Sequence, residues 1–369
     1  MKMTRRAWLS FAMLSACARR KPTGYSGYAL IATAGENSVA AVDLSSFRLV
    51  KQIDVGASPS SIVPMRNASL VLTPETGSVH LLDAELRRAA GFRLSDEVSA
   101  ICAMPDQTRF AALTGKAREL IVADAAARKI VRRFKLGGEP LALDVSPTGY
   151  AAVSTGAQGG VELFHLETGQ SWRAQIPGQI GALRFRADGQ LLLVASLYDH
   201  SLAAFQVPGL QSIAELPLGM APENLCFNSD AGQLFVSGDG MDAVAIVFPY
   251  DTLEVEQTVL AGRDPGTMAC SADPAYLFVA SHSGSDVCIL NVDTRKVIGI
   301  VQVGQKPNYI AVTPDNQFAL VLEELSGDMA VIYIQGIQAN RNKSGASLFT
   351  VVPVGARPVQ AAVVPKQLG

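Results

Sequence analysis

The feature that most constrains this chain is a turn, Gly-x-x-Pro, that recurs along its length. It stands at Gly56–Pro59, Gly137–Pro140, Gly219–Pro222, Gly262–Pro265, Gly304–Pro307 and Gly355–Pro358. Val98 and Ile180 hold the Pro place in two further copies, placed by the residues that follow them. Successive copies are 39, 42, 40, 42, 43, 42 and 51 residues apart. The third residue after each Pro place is apolar: Ile62, Ile101, Leu143, Leu183, Leu225, Met268, Ile310 and Ala361. The eighth is a turn Asp in five copies: Asp106, Asp188, Asp230, Asp273 and Asp315. A fixed period near 42 residues means that one supersecondary unit is repeated and that each unit needs its neighbours to bury its faces.

The unit is clearest between Tyr276 and Gln317. Apolar runs at Tyr276–Ala280, Asp286–Val292, Val297–Val303 and Tyr309–Val312 each end in turn residues, which predicts short antiparallel strands. Runs such as LLLVAS and YLFVAS have no polar side to turn to water, so both faces of the sheet must be covered. Radial packing of four-stranded sheets does this and leaves only short edges. The expected fold is therefore an all-β propeller. Eight innermost strands give eight blades, with seven as the alternative if the irregular last unit is a decoration. Tyr28–Ala34, Ser38–Asp43 and Leu49–Val55 precede any innermost strand, and Val359–Val364 has no partners after it. Pairing Val359–Val364 with Tyr28–Ala34 would close the ring by a 3+1 clasp. Gln335–Ala346 reads as an extended loop on the face opposite the Pro turns.

The pattern carried by YLFVAS, DVCILNVDT, VQVGQKP and YIAVTPDN resembles the YVTN-repeat β-propellers, relatives of the lactonase-like propellers. The resemblance spans about Tyr28 to Pro365. It implies the fold and leaves the function open, because this scaffold hosts both enzymes and binding proteins.

Charged residues make up 17% of the chain and the net charge is −2, so no nucleic-acid partner is expected. No apolar run reaches the length of a membrane span. The first residues read as an export signal: Met1–Arg6 is basic, Ala7–Ala16 is apolar, and Leu14-Ser15-Ala16-Cys17 looks like a lipobox with Cys17 as the lipidated residue. Thr4-Arg5-Arg6 with Ala7-Trp8-Leu9 looks like a twin-Arg signal. The expected organisation is a signal peptide over 1–17, a tether over 18–27 and one propeller domain over 28–366. The expected location is periplasmic or otherwise extracytoplasmic, with a lipid as the membrane contact and the chain a monomer. Cys102, Cys226, Cys270 and Cys288 read as buried free thiols, since Cys270 and Cys288 fall on the first and third strands of one blade, beyond disulfide reach.

Candidate chemistry gathers at one end of the ring. In a propeller the turns between blades and the turns between second and third strands share a face and surround the channel mouth. That face carries many carboxylates, among them Glu36, Glu139, Glu223, Asp242, Asp264 and Glu323, with Asn308 beside the Pro turn. His200 and His282 fall on it too and, with Glu223, are weak candidates for acid–base catalysis. His80 and His165 read as structural. No metal-ligand spacing and no nucleophile elbow occurs, so no metal and no cofactor is expected. Asp144 and Arg184 hold the same place on successive innermost strands, where six other blades have Val63, Cys102, Cys226, Ala269, Ala311 and Ala362. Two opposite charges at an apolar position must be paired or wet. They are either one ion pair or, with Glu223 and Asn308, a ligand anchor. Two functions follow: a non-enzymatic cell-envelope propeller that presents loops and a channel to a protein or polymer ligand, or a lactonase-like hydrolase acting at the channel mouth.

Overall fold

A computed structural model describes residues 24–366 except 90, 157–159, 177, 251 and 340–347. The expected signal peptide, with Cys17, and most of the tether lie outside the described residues. Eight four-stranded antiparallel sheets stand in a ring. Blade 1 takes Gly27–Thr33, Ser38–Asp43 and Arg48–Asp54 from the start of the chain and Pro358–Pro365 from its end. The register runs Tyr28 to Val364 and Ile31 to Ala361, so the 3+1 clasp and the count of eight are both observed. The innermost strands of blades 2 to 8 are Ser61–Pro64, Ala100–Ala103, Pro140–Val145, Ile180–Phe185, Ala221–Phe227, Pro265–Cys270 and Pro307–Val312.

Burial follows radial position. The second and third strands of the blades are buried on nearly every residue, as in Leu191–Ser196 and Phe318–Glu323. The outermost strands are largely exposed, and charge on strands such as Lys129–Lys135 keeps those free edges from pairing with another chain. Continuous apolarity thus belongs to the middle of each blade. The buried side chains form eight clusters, each shared by two neighbouring blades. The cluster between blades 8 and 1, around Phe318, Val331, Ala29 and Val42, makes the seam where the chain ends meet as dry as any other.

The repeated residues have repeated jobs. Asp106, Asp188, Asp230 and Asp315 each accept a backbone N–H two residues on, closing the turn between first and second strands. His165 Nδ1 accepts the Thr168 N–H at 3.1 Å, as the Asp124 carboxylate accepts that of Ala127, so this imidazole substitutes for a turn carboxylate. Gly262 and Gly355 in the blade-connecting turns have φ of +96° and +116°, a region open to glycine without steric cost.

One expectation needs correction. Gln335–Ala346 does not begin as a loop: Ile334–Ala339 is a short helix, with Ile334 and Ile337 in the cluster between blades 7 and 8. Residues 340–347, most of the rest, lie outside the described residues. Blade 2 is irregular as well. The outer strand of blade 2 is only Phe92–Arg93, because Asp83 draws the chain into a turn closed by Arg87. Among the described residues no helix is long and apolar enough to cross a membrane.

Candidate functional site

A bulge recurs just after the Pro place. Pairing between the first two strands skips Leu141, Glu223 and Asn308 in blades 4, 6 and 8. A bulge bends the strand and re-aims the extra side chain. Glu223 and Asn308 therefore share one structural position, but they are used differently. Glu223 is exposed and makes no side-chain bond. Asn308 is part of the ring: its Nδ2 donates to the Pro358 carbonyl at 2.9 Å, and its own carbonyl accepts the Thr267 hydroxyl at 3.0 Å. It ties three innermost strands together, so its first role is structural.

Many carboxylates of the mouth are likewise engaged. Glu36 accepts the Ala356 N–H, Asp242 that of Asp264, and Glu323 that of Gly304. Each holds a blade-connecting turn in place. Glu162, an isolated charge in the apolar run GVELFH, does the same for Gly137 at 2.7 Å and pairs with Arg173 at 2.9 Å. Burial, with the Asp328 charge nearby, raises the Glu323 carboxyl above its ordinary value, although the Gly304 N–H opposes this. The acidic face is thus largely a set of turn supports, which composition alone could not separate from a ligand mouth.

His200 and His282 are exposed on the mouth of blades 5 and 7, and like Glu223 neither side chain makes a hydrogen bond or ion pair with a described residue. The structure does not join the three into a catalytic group. His80 is half-buried, with Nε2 3.3 Å from the Thr73 hydroxyl, and burial lowers its basicity, aided by Arg88. Among the described residues no three His, Cys, Asp or Glu side chains are grouped to hold a metal ion.

The channel wall is different. The fourth residue after the Pro place in blades 3, 4, 5 and 6 is Cys102, Asp144, Arg184 and Cys226. These four form one polar sector, and blades 7, 8, 1 and 2 complete the same level with Ala269, Ala311, Ala362 and Val63. The structure brings Asp144 and Arg184 together, but not as a two-pronged pair. Arg184 Nη1 lies 3.4 Å from Asp144 Oδ1, while Asp144 Oδ2 accepts the Phe185 N–H at 2.8 Å. The Asp144 side chain is 13% exposed and that of Arg184 55%. The carboxylate therefore stitches blade 4 to blade 5, and the guanidinium keeps donors free for the channel. Arg184 acts on several groups around it: its charge lowers the values of Cys226, across the same sector, and of Tyr309 in blade 8, although burial holds Tyr309 above normal.

The pair can be tested by substitution. Asp144→Ala leaves the Phe185 N–H without its partner and should cost about 1–3 kcal/mol. Arg184→Ala removes a half-exposed charge and should cost less than about 1 kcal/mol. The double variant should lose less than the sum. Burial holds the Asp144 carboxyl above its ordinary value of 3.8, against the Arg184 charge. The folded state thus takes this proton more readily than the unfolded one, and stability from this group falls as pH rises through that raised value. Arg184 offsets that fall, so the Arg184→Ala deficit should be present at pH 7 and vanish near pH 3. Equal deficits at both values, read from urea unfolding, would show that the two charges are not coupled.

Comparison with known proteins supports the architecture. No protein-family model matches the chain, and no curated protein matches it. Solved structures do match. The dihydro-heme d1 dehydrogenase NirN in complex with DHE has a TM-score of 0.78 at 12% identity, covering 93% of this chain and 76% of that one. Apo AztD from Citrobacter koseri has a TM-score of 0.68 at 13% identity, covering 91% and 97%. The C-terminal WD40 domain of Sif2 has a TM-score of 0.64 at 11% identity, covering 78% and 82%. At such identities the likeness is one of fold.

Proposed function

We propose that this chain is a non-enzymatic binding propeller of the cell envelope, held to a membrane by a lipid on Cys17 and offering its channel mouth to a protein or envelope-polymer ligand. The observation that carries the reading is the one-sided channel wall. A purely structural ring has no need of charge at this level, and blades 7, 8, 1 and 2 do without it. Arg184 stands more than half exposed there, with one long contact to Asp144, and its remaining N–H groups suit an anionic group of a ligand. His200, His282 and Glu223 stand unpaired around the same mouth and would add adaptable polar contacts on a rigid rim. The resemblance to YVTN-repeat propellers and the lipobox at Cys17 agree with an exported scaffold.

The test is crosslinking from the two faces of the ring. A benzophenone side chain replaces Glu223 at the mouth or, in a second variant, the exposed Pro147 on the opposite face. Cells producing the full chain are irradiated. A discrete adduct is expected from position 223 and none from 147, and Arg184→Ala should weaken the adduct several-fold. Cys17→Ser should move the protein from the membrane pellet to the soluble extracytoplasmic fraction. Equal labelling from both faces would overturn the mouth as the binding surface, and a variant that still pellets would overturn the anchor.

A further inference from the structure

Among the described residues, two of the four free thiols are neighbours. Cys226 Sγ and Cys270 Sγ lie 3.8 Å apart, on the innermost strands of blades 6 and 7. Both residues are half-buried, whereas Cys288 is buried, so the expectation of four buried thiols holds for Cys288 alone. The contact follows from the register of the ring. The fourth residue after the Pro place on one blade faces the fifth on the next. Asp144 meets Phe185 in this way, Cys102 lies against the Val145 backbone, and Cys226 meets Cys270. Only in the last case are both residues cysteines.

We propose that Cys226 and Cys270 are a thiol–disulfide exchange couple on the channel wall, with Cys226 as the attacking sulfur and Cys270 as the resolving one, and that the co-reactant is a disulfide of low-molecular-weight thiols or of another protein. The sulfurs are in van der Waals contact, and a bond of about 2.05 Å requires the two side chains to rotate toward each other. The two strands belong to different sheets and share no ladder, so the bond would join blades 6 and 7 without breaking a backbone pair. The environment distinguishes the two sulfurs. Contact with Cys270 holds the Cys226 thiol below its ordinary value against burial, and the Arg184 charge adds to this. The same contact, with burial, pushes Cys270 well above its ordinary value. Cys102 and Cys288, by contrast, are pushed by burial up to about 11 and about 12. A thiolate is the nucleophile in exchange, and the Arg184 cation, at the matching place on the adjacent innermost strand, favours it at Cys226, so Cys226 is the sulfur that attacks first.

The chemistry balances in two displacements. The Cys226 thiolate attacks one sulfur of the external disulfide and expels its partner as a thiolate, which takes up the proton that Cys226 gave up. The Cys270 thiol then loses its proton and attacks Cys226 Sγ in the mixed disulfide, expelling the second small thiol. Two protein thiols are oxidised by two electrons, and one external disulfide is reduced to two thiols. Excess small thiol runs both steps backward. The couple does not depend on what the channel binds.

The experiment is a redox titration of the full chain in mixtures of oxidised and reduced glutathione, followed by acid quenching, alkylation of remaining thiols and peptide mapping. The expected result is a single Cys226–Cys270 disulfide that forms in near-stoichiometric amount and is reversed by dithiothreitol, with Cys102 and Cys288 alkylated throughout once the chain is unfolded. Cys270→Ser, close to isosteric, should stop the reaction at a glutathione adduct on Cys226, and Cys226→Ser should leave Cys270 unmodified. The proposal is overturned if Cys226 and Cys270 both remain alkylatable across the titration, if either pairs with Cys102 or Cys288 instead, or if the Cys270→Ser variant carries no adduct.

Discussion

A chain ended after Pro353 is expected to lose its cooperative unfolding transition, or to melt at least ~10 °C lower than the full chain. The truncation removes Pro358–Pro365, which lines the channel in blade 1 and pairs along the whole of Gly27–Thr33. It also removes Val354 and Ala361 from the cluster between blades 8 and 1, and Lys366, which reaches Asp43 at 2.9 Å and lies over the Tyr28 ring. Gly27–Thr33 then becomes an open edge beside an uncovered apolar face, which invites association between chains. Calorimetry and light scattering on the truncated chain provide the check. Unchanged melting without aggregation would mean that the ring does not depend on its clasp.

Phe318→Ala is expected to cost about 3–5 kcal/mol, read as a lower urea midpoint with an unchanged slope. Phe318 is fully buried on the second strand of blade 8. Its ring is edge-on to Phe47 at 4.9 Å and tilted against Phe349 at 5.5 Å and Tyr333 at 5.6 Å. Phe47 comes from blade 1 and the other two from blade 8, so these rings lock the seam that the clasp closes. Such aromatic contacts add to the cost of the lost apolar burial. Phe318→Leu, which keeps most of the volume, should cost markedly less. Equal losses from the two variants would show that the seam requires the aromatic ring itself rather than filled volume, and a loss below about 1 kcal/mol from Phe318→Ala would show that the seam repacks.

The repeat, the propeller and the clasp were determined by the sequence itself, and eight blades were favoured over seven, a choice the structure settled. Each rests on local chemistry repeated at a fixed period: the Pro turn, the turn Asp that accepts a nearby N–H, and the doubly apolar runs such as Leu191–Ser196. His165 was legible as a stand-in for a turn Asp for the same reason, since its bond reaches only three residues along the chain. Asp144 and Arg184 were legible as partners because the period places like positions on adjacent blades.

What only the tertiary structure decided are relations between blades that depend on where each side chain points. The bulge after the Pro place sends Glu223 to solvent and Asn308 into the ring, although both follow the same turn. The carboxylates Glu36, Asp242 and Glu323 look like a binding face in composition, yet each supports a turn, because a backbone N–H lies within reach only once the blades are packed. Cys226 and Cys270 differ by one place along the repeat. Successive side chains on a strand point to opposite faces, so this single step turns the two sulfurs toward each other across the gap between blades.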